Sequence, residues 1–220
     1  MARLIWDNTG ERYYETGVKN GVLYLPDEAG KYTKGYVWNG LTAVTESPSG
    51  AEATALYADD IKYLNILSAE EFGATIEAYT YPREFAECDG SKKVADGVYI
   101  GQQARKPFGM SYKTVIGNDV KNNSLGYKIH ILYGCTASPS ERNYTSINDS
   151  PEAINFSWEV KTTPVNVEGF APTACVTIDS RDVPAEKLKQ LEDLLYGTTD
   201  KEASLPTPDE IVTLVGTAAA

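Results

Sequence analysis

The chain reads as a mainly β protein: an antiparallel β-sandwich or barrel with one packed α-helix and a short C-terminal helix. Three observations predict this. Apolar and polar residues alternate with period two over several stretches, the signature of strands that bury one face of an antiparallel sheet. Clusters rich in Gly, Asn, Asp, Ser and Pro punctuate those stretches. Only two windows carry helical spacing. No internal repeat and no linker of domain-boundary composition interrupts the 220 residues, so residues 1–220 read as a single domain.

Taken in order, Gly21–Leu25 is a weak strand pattern, and Tyr36 to Val44 reads as a strand. The stretch Glu46–Asp60 follows, with four carboxylates and neither Lys nor Arg. A tight hairpin link takes about two to five residues, so this stretch is expected to protrude as an arm. Doubled back on itself at roughly 3.3 Å per residue, it would reach ~25 Å. Its candidate contact residues with a neighbouring subunit are Glu46, Ser47, Pro48, Glu52, Leu56, Tyr57, Asp59 and Asp60. Strand pattern resumes at Ile61–Ile66 and again at Phe72–Tyr81, and Arg83–Cys88 fits one helical turn.

Phe108–Ile116 is the next strand, and Gly117–Gly126 separates it from its successor. Asn122-Asn123-Ser124 is the expected turn of that long-armed hairpin. Tyr127, Ile129, Ile131 and Tyr133 then face one way, with Lys128 and His130 facing the other. A connection opens at Ser138-Pro139-Ser140-Glu141 and ends at Asp149-Ser150-Pro151. Ile154, Phe156, Trp158 and Val160 alternate with polar partners, as do Ala174, Val176 and Ile178. From Pro184 to Tyr196, Leu188, Leu191, Leu194 and Leu195 recur at helical spacing; Pro184 suits the first turn and Gly197 the position past the end. Pro208–Val215 is the short second helix, with Asp209 and Glu210 favouring its N-terminus. Residues 197–208 are a polar connection, and 216–220 a frayed end.

The net charge of −11 argues against general adhesion to nucleic acid, which needs clustered Lys and Arg. Lys92-Lys93 and Arg105-Lys106 are isolated pairs. Cys88, Cys135 and Cys175 have no metal-like spacing and fall in or beside apolar strand patterns, so they read as buried reduced thiols. Charge follows too soon after the first residues for a signal peptide, and no window approaches transmembrane length. The Asn-x-Ser/Thr sites at Asn122, Asn143, Asn148 and Asn155 matter only in a eukaryotic secretory pathway, which nothing else suggests.

The catalytic inventory is poor. The single histidine, His130, lies on the polar face of a strand and reads as a surface or subunit-contact residue. Gly-x-Ser-x-Gly and the phosphate-cradling glycine patterns are absent. Asp59-Asp60 reads as a charged loop end rather than a calcium site. Tyr13-Tyr14, Trp38, Tyr79 and Tyr81 are a conceivable sugar platform, but aromatic strand residues more often pack. No catalytic residue, metal or cofactor is expected.

Several segments resemble the major tail proteins of long-tailed phages with flexible, non-contractile tails. These are the runs Ile5–Val18 and Trp38–Thr42, the arm at 46–60 and Lys62-Tyr63-Leu64-Asn65. Glu77–Pro82, Phe85–Gly90, Ile100–Gln103 and 147–153 carry it further, and the likeness extends to about Gly197. The resemblance implies a tail-tube subunit: a β-sandwich or barrel with a helix on its outer side, assembling into six-fold rings that stack into a hollow tube. It further implies that loops and an extended hairpin clasp neighbouring copies and that other tail proteins bind the tube ends. Double-stranded DNA would pass through without specific binding. The location implied is the virion tail, assembled in the bacterial cytoplasm, with no membrane partner. Six copies at −11 each carry −66, a charge that repels the phosphate backbone. The competing expectation is a carbohydrate- or receptor-binding β-sandwich module of a virion.

Overall fold

The computed structural model describes residues 4–147, 149 and 152–216. The first half of the chain contains β1 (Tyr13–Pro26), β2 (Tyr32–Trp38), β3 (Leu41–Glu46), β4 (Ser49–Gly50) and β5 (Ala53–Ala58). It continues with β6 (Ile61–Leu67), β7 (Glu70–Glu71), β8 (Gly73–Ala78) and a 3₁₀ turn at Arg83–Glu87, then β9 (Lys92–Ala95) and β10 (Val98–Ile100). The second half holds the long β11 (Phe108–Asn118) and β12 (Asn122–Ala137), then β13 (Phe156–Thr162), β14 (Val165–Val167), β15 (Phe170–Thr173) and β16 (Cys175–Asp179). Two helices close it, α1 (Ala185–Tyr196) and α2 (Pro208–Val215). The fold is therefore mainly β and antiparallel with two helices, as the alternation predicts. Residues 1–3, Asn148, Ser150, Pro151 and the expected frayed end at 217–220 lie outside the described residues.

The main sheet runs β2-β1-β11-β12-β13-β8-β3, with β16 also paired to β12. Its two ends are joined by only Asn39 and Gly40, so the sheet curls until β2 and β3 meet. The sequence expectation of one strand from Tyr36 to Val44 is corrected here. Gly40 takes φ 76°, a left-handed conformation that glycine adopts without a Cβ penalty, and the chain turns a corner there. Trp38 Nε1 donates to the Thr80 carbonyl at 3.0 Å across that corner.

Inside the curl lie Leu23, Trp38, Ile76, Phe108, Met110 and Trp158, closed at one end by Phe85 of the 3₁₀ turn. Phe85 meets Trp38, Phe108 and Trp158 with ring centroids 4.6–5.4 Å apart, distances at which tilted aromatic pairs attract. Trp38 is thus core, and Tyr81 packs edge-on against Trp158 and Phe156; the aromatic residues weighed as a sugar platform do not converge on one surface.

β12 serves two partners along one edge. Lys128–Leu132 pair with β16, and Cys135–Ala137 pair with β13. The switch occurs at Gly134, whose φ of 57° accompanies a break in the register with β11. After it, Leu132 and Cys135 lie on the same inner face, as a one-residue bulge requires. The hairpin turn between β11 and β12 falls at Asp119–Lys121, not at Asn122–Ser124 as expected. Asn118 Oδ1 accepts from the Val120 and Lys121 amides, so the side chain of Asn118 builds the turn and the next three asparagine-rich residues join the strand.

The opposite face of the same sheet is also covered. Val22, Tyr24, Ile129, Ile131 and Tyr133 pack against Leu188, Leu191 and Leu195 of α1, with Leu205 and Ile211 beside them. Pro184 stands immediately before α1 and Gly197, at φ 77°, ends it. Thr207 and Glu210 form a reciprocal capping box on α2, a motif worth about 1 kcal/mol. Lys113 crosses this layer: its Nζ lies 2.6 Å from Glu192 Oε1, which also accepts from the Tyr127 hydroxyl at 2.6 Å.

Candidate inter-subunit surface

The Glu46–Asp60 stretch forms half of a longer projection. β5 runs outward, Asp59 and Asp60 make the tip, and β6 returns beside it. Both tip residues have positive φ, 51° and 61°, the backbone that a two-residue hairpin turn demands and that Asp tolerates. Closer in, Ser49–Gly50 pair with Glu70–Glu71. The limb from Ser47 to Asp59 has a contour of roughly 40 Å at 3.3 Å per residue, longer than the doubled-back arm the sequence suggested. Ile61–Ile66 is a strand as expected, yet every residue of β6 is exposed.

The hairpin carries an apolar stripe without cover. Leu56 stands directly across from Leu64, and Thr54 across from Ile66, which places these four on one face. Leu56, Leu64, Ile66 and Ile61 remain 40–66% exposed. Tyr57, Tyr63 and Leu67 add further exposed surface. An isolated two-stranded hairpin is marginal in water and becomes stable when a third layer covers one face. Acidic groups surround the stripe: from Glu46 to Glu71 there are six carboxylates, with Lys62 the single base.

Two shorter hairpins also expose apolar side chains. β9 and β10 expose Val94, Val98, Tyr99 and Ile100, and β14–β15 exposes Phe170. The segment before β1 leaves Leu4, Ile5 and Trp6 exposed. Asp96-Gly97 and Glu168-Gly169 form the two-residue links, with Gly97 and Gly169 both at φ 77°.

The predicted contact residues divide into two groups. Ser47, Pro48, Glu52, Leu56, Tyr57, Asp59 and Asp60 are exposed along the outgoing limb. Within it, Glu52 and Ser68 tie the limbs together, the Ser68 amide donating to the Glu52 carbonyl at 3.3 Å. Glu46 behaves differently. It is exposed too, its side chain 38% accessible, but Oε1 points inward at the root, accepting from the Tyr112 hydroxyl at 2.7 Å and lying 3.4 Å from His130 Nδ1. His130 stacks on Tyr112 at 4.8 Å with planes 4° apart, and its Nε2 is 2.9 Å from Thr114 Oγ1. His130 Nδ1 has no aligned hydrogen-bond partner among the described residues. His130 beside it pulls the Glu46 carboxyl below the usual glutamate range; burial opposes this and the Tyr112 hydroxyl adds to it. The face of β12 that carries His130 is the interior of the curl, so His130 is not the surface residue its alternation suggested.

Cys88 and Cys135 are buried and Cys175 half-buried, all as free thiols. Burial pushes Cys88 up to about 12, far from the thiolate that a nucleophile needs. A cleft of about 1000 Å³ opens between α1, α2 and β14. Its carboxylates are engaged: Asp209 accepts from the Glu168 amide and Glu210 caps α2. Asp89 sits in ion pairs with Arg105 and Arg142. Among the described residues, no group of three or more His, Cys, Asp or Glu side chains is placed to hold a metal ion, and no helix is long and apolar enough to cross a membrane.

Compared with known protein families and with curated proteins, the chain matches none.

Proposed function

We propose that this chain is a structural tail-tube subunit of a non-contractile phage tail. Copies associate into six-membered rings, the rings stack, and the hollow interior conducts double-stranded DNA during ejection. The observation that carries this proposal is the projecting hairpin from Ser47 to Ala69, whose apolar stripe stays 40–66% exposed among the described residues. Fully burying a Leu or Ile side chain gains about 1.5–3 kcal/mol. Covering the exposed halves of Leu56, Ile61, Leu64 and Ile66 therefore gains on the order of 4 kcal/mol per hairpin, repeated at every subunit of a ring. Exposed apolar surface of this extent marks a contact site in a soluble chain. The net charge of −11 suits a conduit, because a negative wall repels the phosphates that pass it. In this proposal other tail proteins occupy the tube ends, no cofactor takes part and the protein resides in the virion tail.

The test is removal of the hairpin where its limbs meet. Replacing Glu52–Ser68 by Gly-Gly joins positions already linked by hydrogen bonds. The parent protein is expected to sediment as polymers at increasing concentration and the variant as a cooperatively folded monomer. Polymers from the variant indistinguishable from the parent's would overturn the proposal, and so would a parent that stays monomeric while binding glycans.

A further inference from the structure

We infer that Glu46 is a positioning residue: its carboxylate is a strut across the mouth of the curled sheet that fixes the root of the hairpin on the barrel. This rests on the reading of the hairpin as the contact element for its consequence, though not for its geometry. Glu46 is the last residue of β3, at one end of the strand path, whereas Tyr112 and His130 sit on β11 and β12 in its middle. The carboxylate therefore joins strands that share no ladder, through the interior rather than along the sheet.

Past Glu46 the outgoing limb is held by few backbone hydrogen bonds. Ser47 N–H donates to the Gly73 carbonyl at 2.8 Å, and the paired segment beyond it is two residues long. Gly50 and Ala51 then take φ values of 85° and 53°, a kink at which the hairpin leaves the line of β3. A Cβ at Gly50 would overlap the Ala69 carbonyl, so the limbs approach closely there. Beyond the kink, β5 and β6 pair with each other. The returning limb is anchored at Phe72, which packs on the core and whose carbonyl accepts from Thr162 Oγ1 at 2.6 Å; the outgoing limb is anchored over Thr45 to Gly50, where the Glu46 carboxylate bonds the Tyr112 hydroxyl inside the curl.

The surroundings of the carboxylate fit a strut. Ala74, its register partner on β8, and Val160 of β13 are small or apolar and buried. The titratable groups that meet it are His130 and Tyr112, with Cys175 of β16 near enough to feel its charge. Burial, together with donation to Glu46, keeps the Tyr112 hydroxyl protonated far above the usual tyrosine range, so this donor does not switch off. The ring stack with His130 holds the Tyr112 hydroxyl in place. Charge-assisted bonds of this kind are about twice as strong as neutral ones.

The experiment is amide hydrogen exchange on the full chain, kept below the concentration of any assembly and at one pH. The reporters are the amides of Ser47, Ala51 and Ser68 at the root and the peptide covering β12 as the barrel reference. Glu46→Ala is compared with Leu188→Ala, which trims the α1 contact on the opposite face of the sheet. Glu46→Ala is expected to speed root exchange roughly three- to tenfold, one charge-assisted hydrogen bond discounted for a carboxylate 38% accessible to solvent, while β12 keeps its protection. Tyr112→Phe, which deletes one hydroxyl and keeps the stack, is expected to give the same selective pattern at smaller size. Equal acceleration of root and barrel, as Leu188→Ala should give, would overturn the inference. Unchanged root exchange would overturn it as well. Because no polymer is measured, these outcomes are readable even where the hairpin deletion shows no assembly.

Discussion

Glu192→Ala is expected to destabilise the protein by about 2–3 kcal/mol. Lys113 is a charged side chain at only 8% exposure, and its carboxylate partner stands 2.6 Å away. Removing one partner of a buried ion pair costs about 3–5 kcal/mol, because the survivor stays desolvated and unpaired. Part of that is returned here. Lys113 Nζ sits 4.3 Å from the Tyr127 ring centroid and 5.0 Å from that of Tyr196, and such contacts are worth about 1–2 kcal/mol when desolvated. Lys113→Met with Glu192→Leu replaces the pair by apolar side chains and should fall within about 1 kcal/mol of the parent. Urea unfolding followed by circular dichroism measures each corner of the cycle. For a chain of this size the single variant should lose roughly 4–12 °C in melting temperature. A loss under about 0.5 kcal/mol, or a double variant as unstable as the sum of its singles, would show that the pair does not couple α1 to the sheet.

Three other outcomes are expected. The Glu46 carboxyl titrates below its ordinary range when folded, so its stabilising contribution is complete above about pH 4.3 and is lost as pH falls through the folded value; the stability gap between parent and Glu46→Gln should therefore shrink on acidification, and a gap constant with pH would contradict this. Gly134→Ala puts a Cβ into the Thr163 carbonyl at φ 57°, which should cost about 3 kcal/mol or more in denaturant midpoint analysis; a parent-like midpoint would remove the bulge from the account. Aromatic disulfide reagents should leave Cys88 and Cys135 untouched in the native protein, and Cys175, pushed up only to about 11 by burial, should react first; fast labelling of all three would show that the inner face opens.

Much of the architecture was legible because its causes are local. Ile129, Ile131 and Tyr133 alternate without exception and do pack on one layer, and the leucines from Leu188 to Leu195 mark the helix that covers them. Pro184 and Gly197 bracket that helix in sequence and in space. What alternation did not reveal is that the second face of β12 is also inside. His130 looked solvent-facing because a polar residue between isoleucines is scored against water, whereas a curl in the sheet supplies an interior of its own. The hairpin was half legible. Its acidic outgoing limb stood out by composition, whereas Ile61–Ile66 read correctly as a strand without revealing its exposure, since apolar strand residues look the same in sequence whether buried or bare. Asp59-Asp60 was the available signal: a two-residue turn between limbs of nearly equal length. Asp96-Gly97 and Glu168-Gly169 offered similar signals for the smaller hairpins. Glu46 was illegible as an inward residue, because its partners Tyr112 and His130 lie 66 or more positions away.

The central claim is that uncovered hairpins make this chain self-assemble around a hollow axis. Electron microscopy of the purified protein across a concentration series tests it most directly. Hollow tubes, or rings with six-fold symmetry that disappear when Glu52–Ser68 is replaced, are the predicted result. Monomers at every concentration, with the hairpin stripe still exposed to solvent, would contradict it.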